Sequence, residues 1–253
     1  MKMQNLKSKI RSFGNLAIAF SGGVDSSFLV FLANDVLGQN ALAITIRTPY
    51  MSNREITEAV EFAKMHGIRH EIISIETPRE IEQNPQNRCY LCKKNLFSVF
   101  IKRANELGFS NFADGTNKDD FGEFRPGLKA KAELGVISPL QNLTKSEIRA
   151  CLRELNLAIS QKPSYACLLT RLPLEQKFSQ IELDLVESCE NLFILHGYEN
   201  VRARFDGNSF KIELAKADMA KFLKDDKFKN LAKSKFENYE ITPNLENFRG
   251  EII

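Results

Sequence analysis

The chain has 253 residues, 43% of them hydrophobic and 26% charged, and 35 basic side chains against 32 acidic ones leave a net charge of +3. That length suffices for one large domain or two, and so balanced a charge gives no case for nucleic-acid or membrane partners. No apolar run reaches the length of a membrane span, and no apolar segment with a cleavage site follows the basic Met1–Arg11 stretch, so a cytoplasmic protein is expected.

In chain order, Met1–Phe13 predicts a short leading helix, and Leu16–Phe20 a buried strand. Ser21, Gly22, Gly23, Val24, Asp25, Ser26 and Ser27 follow, and then a run with helical spacing that ends near Gly38. A strand, a glycine turn and a helix N-terminus aim backbone N–H groups at one point, which suits phosphate oxygens. The two glycines allow close approach and positive φ, and the serine hydroxyls add donors. No lysine follows in the Gly-Lys-Ser/Thr order, so this is not a Walker loop.

Ser21–Ser27 resembles the PP-loop, SGGxDS, of the N-type ATP pyrophosphatases. The resemblance implies that the loop holds the β- and γ-phosphates of ATP while an acceptor oxygen attacks the α-phosphate, giving an adenylylated intermediate and pyrophosphate. It does not say what is adenylylated.

Ala41–Ile46 reads as a second strand, and Ser52 with Glu55 as a capping box opening a helix that ends at Gly67. Glu71–Ile75 is a third strand, Thr77–Arg88 a long loop, and Cys89 and Cys92 open a helix to about Leu107. Asn111–Ala113 is a brief strand running into a charged loop through Asp119, Asp120, Arg125, Pro126 and Gly127. Thr144 and Glu147 form another capping box, for a helix to roughly Asn156, and Lys162–Tyr165 breaks the pattern. A long helix over about Glu175–Leu195 then precedes two strands, Asn200–Phe205 and Ser209–Leu214, around Asp206-Gly207-Asn208. The alternation predicts an α/β parallel sheet over residues 1–163, with ligands at the carboxyl ends of its strands, and a smaller α+β domain over 164–253.

Several constellations can carry chemistry. Gly115 allows close backbone approach, and Asn117, Asp119 and Asp120 can orient ribose hydroxyls or Mg²⁺; a solvated acidic turn is the alternative. Cys89 and Cys92 form a C-x-x-C pair on the first turn of a helix, fit to share a metal or cluster, to make a redox disulfide, or to be incidental. Cys167, close to Arg171, reads as an activated thiolate or as a small buried hydrophobe. Cys151 and Cys189 sit in helical apolar patterns and belong to the core. Arg202 and Arg204 project from one face of a strand, matching a phosphate or carboxylate, or simply facing solvent. His66, His70 and His196 flank helix ends, where capping or surface roles suffice.

Taken together, Ser21–Ser27, Asn87–Lys93, Asp114–Asp120 with Arg125–Gly127, Leu134–Leu140, Leu143–Arg149, Lys162–Leu168 and Val201–Arg204 resemble the LarE family of PP-loop sulfur transferases. The resemblance implies an adenine nucleotide alpha hydrolase-like (PP-loop ATP pyrophosphatase) domain. It also implies ATP with Mg²⁺, and a pyridinium-biscarboxylate mononucleotide whose carboxylate becomes a thiocarboxylate in making a nickel-pincer cofactor. ATP would lie on Ser21–Ser27 and reach Gly115, Asn117, Asp120 and Arg125. Thr170, Arg171, Arg202 and Arg204 would hold the substrate phosphate, with Glu190 beside them. Sulfur would come from a 4Fe-4S cluster on Cys89, Cys92 and Cys167, or from Cys167 itself, which would become dehydroalanine. The cluster is favoured because both C-x-x-C members are present. A sulfur donor or other enzymes of the same pathway, and a second copy of the chain, are the partners implied. Thr170 replaces the family's usual serine, Leu172–Glu175 departs from its apolar-Pro-Tyr-Gly, and the last forty or so residues match nothing in the pattern. The rival readings are a tRNA-thiolating PP-loop enzyme, an ammonia-dependent amidating synthetase with no use for Cys167, and a non-catalytic ATP or iron–sulfur sensor.

Overall fold

Leu16–Ala19 and Ala41–Ile46 are nearly unbroken apolar runs because the strands they form are covered on both faces. The computed structural model describes residues 2–122, 126–198 and 200–245. By contact density the chain divides into two units, Met1–Ile81 with Gln86–Ser164, and Glu82–Pro85 with Tyr165–Ile253.

The first unit opens with α1 (Lys2–Ser12), β1 (Leu16–Ala19), α2 (Val24–Leu37) and β2 (Ala41–Arg47). It continues through α3 (Asn53–Met65), β3 (His70–Ser74), α4 (Arg88–Glu106), β4 (Phe112–Ala113), α5 (Pro126–Glu133) and α6 (Lys145–Glu154). The sheet order is β3-β2-β1-β4, all parallel, with Leu16 opposite Ala41 and Ala17 opposite Phe112. Alternation sorts the side chains by face. Leu16, Ile18, Ala41 and Ala43 join a core with α1, α2 and α6, while Ala17, Leu42, Ile44 and Ile46 join another with α4. This is the expected parallel α/β architecture.

The second unit contains α7 (Gln180–Leu195), β5 (Arg202–Phe205), β6 (Ser209–Glu213), α8 (Lys216–Lys224), α9 (Asp226–Lys235) and β7 (Glu240–Pro243). β5 and β6 form the expected antiparallel hairpin; Gly207 has φ +97°, and Asp206 accepts from Asn208 N and Ser209 N. β7 then adds parallel to β6.

Several expectations are corrected. Ser52 is the N-cap of α3 but its side chain caps no helical N–H, and Glu55 pairs instead with Lys162 Nζ at 2.8 Å. The helix expected from Glu175 starts at Gln180, because Ser179 and Glu182 close a capping box there and Glu175 turns with φ +56°. The charged loop expected to run through Pro126 and Gly127 gives way at Pro126 to α5, a helix too short to show periodicity. His70 lies within β3, where Nε2 meets Thr45 Oγ1 at 2.8 Å, and burial holds its pKa below the ordinary histidine value. Thr144 and Glu147 do close their capping box on α6.

The short segment Glu82–Pro85 is anchored by Asn84, which is fully buried with φ +46°. Its Nδ2 donates to the carbonyls of Leu169 (3.2 Å), Leu172 (3.3 Å) and Pro173 (2.7 Å). Asn84→Gly keeps the left-handed backbone accessible but strands these carbonyls. It is expected to lower unfolding stability by roughly 1–3 kcal/mol in urea titration; an unchanged midpoint would contradict this anchoring role.

Candidate functional site

The first constellation forms at the head of α2. Gly22, with φ +72°, is wedged against α3: a Cβ there would lie 2.9 Å from Ala59 Cβ and 3.2 Å from Glu55 O. Gly23 is the N-cap, and no side chain caps the helix, so its first N–H groups are left for a ligand. Ser21 Oγ and Ser26 Oγ lie 3.1 Å apart, and Ser26 Oγ donates to Gly23 O. Val24 is buried, whereas Ser27 Oγ and Asp25 Oδ1 are buried polar atoms without a hydrogen-bond partner. An orphaned carboxylate oxygen beside a phosphate-type turn fits a hard divalent cation such as Mg²⁺.

Because β4 neighbours β1, the loop after β4 meets the loop after β1. Gly115 is pressed onto α2, where a Cβ would lie 2.7 Å from Ser26 N and 3.0 Å from Asp25 C. Asn117 Oδ1 accepts from Asp119 N and Asp120 N, and Asp120 Oδ2 accepts from Asn117 N, so the loop is tied to itself. Asp119 Oδ2 in turn accepts from Lys145 N at the start of α6. Asp114 is held from below by Thr116, by Ser138 Oγ at 2.6 Å and by the buried Lys131 Nζ at 3.3 Å. Burial pushes the Lys131 pKa down, against the opposing pull of Asp114. Arg125 lies outside the described residues.

Lys162 bears on the same turn. Its Nζ donates to Gly22 O at 2.9 Å and pairs with Glu55 and Glu58. Arg149, itself buried, donates to the carbonyls of Ser160 and Lys162. Nothing in the sequence near Ser21–Ser27 marks Lys162, which reads as a break in the pattern and as the start of the Lys162–Leu168 block.

The second constellation lies in the second unit. Arg171 is 2% exposed, and its Nε and Nη2 grip Glu190 at 2.8 and 3.2 Å. Its Nη1 donates to Ala166 O (2.8 Å), Cys167 O (3.3 Å) and Thr170 Oγ1 (2.7 Å), and the guanidinium stacks 4.6 Å from the Tyr165 ring. Arg171 thus spends its donors inward, on the turn that carries Cys167, which differs from an arginine presented to a ligand. Glu190 also accepts from Ala203 N at 3.0 Å and from Tyr165 Oη. It thereby fixes the strand position between Arg202 and Arg204, which share the face opposite Ala203 and Phe205.

Arg204 pairs with Glu213 and donates to Thr170 O at 3.1 Å. Arg202 Nε is buried without a partner, and burial, with Arg171 and Arg204 beside it, pushes its pKa below the ordinary arginine value. Among these five side chains three guanidinium groups face two carboxylates, which leaves a positive charge for an anion. The alternate spacing of Arg202 and Arg204 was the readable signal; Glu213 carried none.

None of the five cysteines is joined in a disulfide. Cys89 is exposed at the start of α4, and Cys92 is half-buried with its Sγ 3.2 Å from Tyr50 Oη. Cys167 is half-buried and precedes the turn Leu168–Arg171. Cys189 is fully buried, as expected of a core residue, and burial raises its pKa; Cys151 packs at the edge of the α2 core. Among the described residues no three His, Cys, Asp or Glu side chains are grouped so as to hold a metal ion. No helix among the described residues is long and apolar enough to cross a membrane.

A family model described as NAD synthase matches residues 2–103. An uncharacterized protein of Synechocystis is 34% identical over 98% of this chain and 95% of its own length. An uncharacterized protein of Methanocaldococcus jannaschii is 33% identical, with 97% and 95% covered. The pyridinium-3,5-bisthiocarboxylic acid mononucleotide synthase of Lactiplantibacillus plantarum is 29% identical over 88% of this chain and 82% of its own.

Two outcomes follow from the head of α2. Gly115→Ala forces the loop off Ser26 and is expected to weaken ATP binding by roughly tenfold to a hundredfold in calorimetry; unchanged affinity would contradict the close approach. Asp25 has its pKa raised, first by burial and then by Asp120, against Lys145, Asn117 and Arg149. Below the ordinary aspartate pKa it is protonated both folded and unfolded and costs nothing. As pH rises through the raised folded value, the charged form burdens the folded state alone. Asp25→Asn is therefore expected to raise the apo-protein's melting temperature at pH 7, with the gain fading as pH falls through the aspartate range, while Mg²⁺-dependent ATP binding drops. A gain independent of pH would contradict this.

Proposed function

The chain belongs to the LarE family of PP-loop, ATP-dependent sulfurtransferases, and on that premise we propose that it converts a carboxylate of pyridinium-3,5-biscarboxylic acid mononucleotide into a thiocarboxylate. The observation that carries the activating half is the uncapped head of α2, with Asp25 Oδ1 and Ser27 Oγ buried and unpartnered and Gly115 pressed onto it. ATP would place its β- and γ-phosphates on Ser21–Ser27, with Asn117 and Asp120 toward the ribose or the metal. Bound Mg²⁺ would offset the triphosphate charge at Asp25.

A substrate carboxylate oxygen attacks the α-phosphorus, the bond to the bridging oxygen breaks, and pyrophosphate leaves. The resulting acyl adenylate exchanges a poor leaving group, oxide, for AMP. A sulfur nucleophile then adds to the acyl carbon and AMP departs. Arg202 and Arg204 would hold the phosphate of the substrate, while Arg171 and Glu190 set their frame and that of Cys167. In this reading residues 1–163 activate and residues 164–253 hold substrate and deliver sulfur.

For the sulfur, Cys89, Cys92 and Cys167 supply the ligand number that leaves one iron of a 4Fe-4S cluster open, and such a cluster, when bound, would supply a transferable sulfide. Carboxylate activation does not depend on it, and a Cys167 that gives up its own sulfur meets the same need once per chain. A second copy of the chain and a sulfur-supplying protein are the partners proposed.

The test is pyrophosphate release with ATP and the pyridinium nucleotide, beside iron and sulfide analysis of anaerobically prepared protein. Release that requires both substrates, with thiocarboxylate formed, is expected. Steady ATP binding with no pyrophosphate, or thiolation of tRNA instead, would overturn the reading. Iron that is lost in Cys89→Ala supports the cluster; iron-free protein whose Cys167 loses the mass of a thiol after turnover assigns the sulfur to Cys167.

A further inference from the structure

We propose that Lys162 is the positioning residue of the nucleotide site: from 140 residues away in the chain, its ammonium holds the Gly22 carbonyl and offsets charge on Glu55 and Glu58, so that the loop's N–H groups stay aimed at the phosphates. This rests on the ATP reading above and adds to it a residue outside the loop. The loop supplies no lysine of its own.

Lys162 Nζ donates to Gly22 O at 2.9 Å and forms ion pairs with Glu55 Oε1 at 2.8 Å and Glu58 Oε2 at 2.6 Å. Its side chain is only 13% exposed. The base from which it reaches is itself fixed, because Arg149 Nη2 donates to Lys162 O at 2.8 Å.

The peptide plane gives the contact its meaning. In a trans peptide the carbonyl of one residue and the N–H of the next point in opposite directions. Holding Gly22 O on Lys162 therefore fixes the Gly23 N–H the other way, into the turn. Among the described residues that N–H has one contact, a long one of 3.4 Å to Ser21 Oγ, so it can be taken over by a phosphate oxygen. Gly22 cannot adjust by moving sideways, because α3 lies against its Cα. Charge acts in the same direction. Arg54 also pairs with Glu58 at 3.7 Å, so without the Lys162 ammonium one more negative charge, that of Glu55, would stand uncompensated beside a site for a polyanion.

A merely structural ion pair would, on removal, weaken binding of every nucleotide alike or none. A positioning residue for the pyrophosphate cradle discriminates between ATP and AMP, since AMP lacks the β- and γ-phosphates. The test is calorimetric binding of α,β-methylene ATP, which cannot be cleaved at that bond, and of AMP, to the full chain with Mg²⁺. Lys162→Met is expected to weaken the ATP analogue roughly tenfold to a hundredfold and AMP less than about twofold. Lys162→Arg, which keeps the charge but not the compact ammonium, should fall between wild type and Lys162→Met. Equal losses for both nucleotides, or no loss for the ATP analogue, would overturn the proposal.

Glu58→Gln keeps the proposal testable should Lys162→Met not fold. It leaves Lys162 on Gly22 O with one carboxylate fewer, so the ATP analogue should bind as well or better; a loss confined to the analogue would overturn the proposal. Wild-type protein that binds neither nucleotide would defeat the ATP reading and this role with it. Wild-type binding with an unaffected Lys162→Met would defeat this role alone.

Discussion

At the head of α2, glycine backbone is pressed directly onto neighbouring helices. Gly115 lies so close to Asp25 and Ser26 that a Cβ would collide with the helix's own N–H, and Gly22 lies equally close to α3 on its other side. That constraint follows from topology. β1 sits between β2 and β4, so the turn after β1 is flanked by the connections that leave its neighbours, and all of them emerge at the carboxyl edge of the sheet. The helix start is left uncapped in a place where three stretches of backbone converge, and two buried polar atoms, Asp25 Oδ1 and Ser27 Oγ, go without partners. Unsatisfied buried groups beside an open helix start are groups that a ligand or ion can complete.

The second unit is organised by one buried ion pair. Arg171 with Glu190 is a poor source of net stability, because both charges have left water. It is a strong source of geometry. The same guanidinium that grips Glu190 also holds the carbonyls of Ala166 and Cys167, and the same carboxylate that receives it holds the amide of Ala203. The cysteine turn and the strand that carries Arg202 and Arg204 thus share one frame. Truncating either partner would loosen both at once, so the pair's importance lies in register rather than in contact with substrate.

Much of this was legible in the sequence, for identifiable reasons. β1 and β2 announce themselves as unbroken apolar runs, and Ser21–Ser27 as a turn between strand and helix, because these are local patterns. The parallel sheet follows from their alternation with helices. Side-chain partnerships across long separations are what local pattern cannot carry. Glu55 fits a capping box with Ser52 by spacing, yet it turns to Lys162, a partner more than a hundred positions away. Glu175 looks like the start of a helix, but the chain turns there and Ser179 caps α7 instead. Arg171 reads as a ligand contact beside Thr170, whereas its donors are consumed by Glu190 and the Cys167 turn. Asn84, in a polar loop without periodicity, gives no sign that it is fully buried.

The central claim is that a carboxylate oxygen of the substrate attacks the α-phosphorus of ATP held at the head of α2. The most direct measurement uses the pyridinium nucleotide with isotopically heavy oxygen in its carboxylates and follows the label by mass spectrometry after turnover. Attack by the carboxylate predicts that one heavy oxygen is transferred to the AMP released, and that the thiocarboxylate product keeps one fewer. AMP without label, with the heavy oxygen retained in the pyridinium product or lost to water, would contradict it.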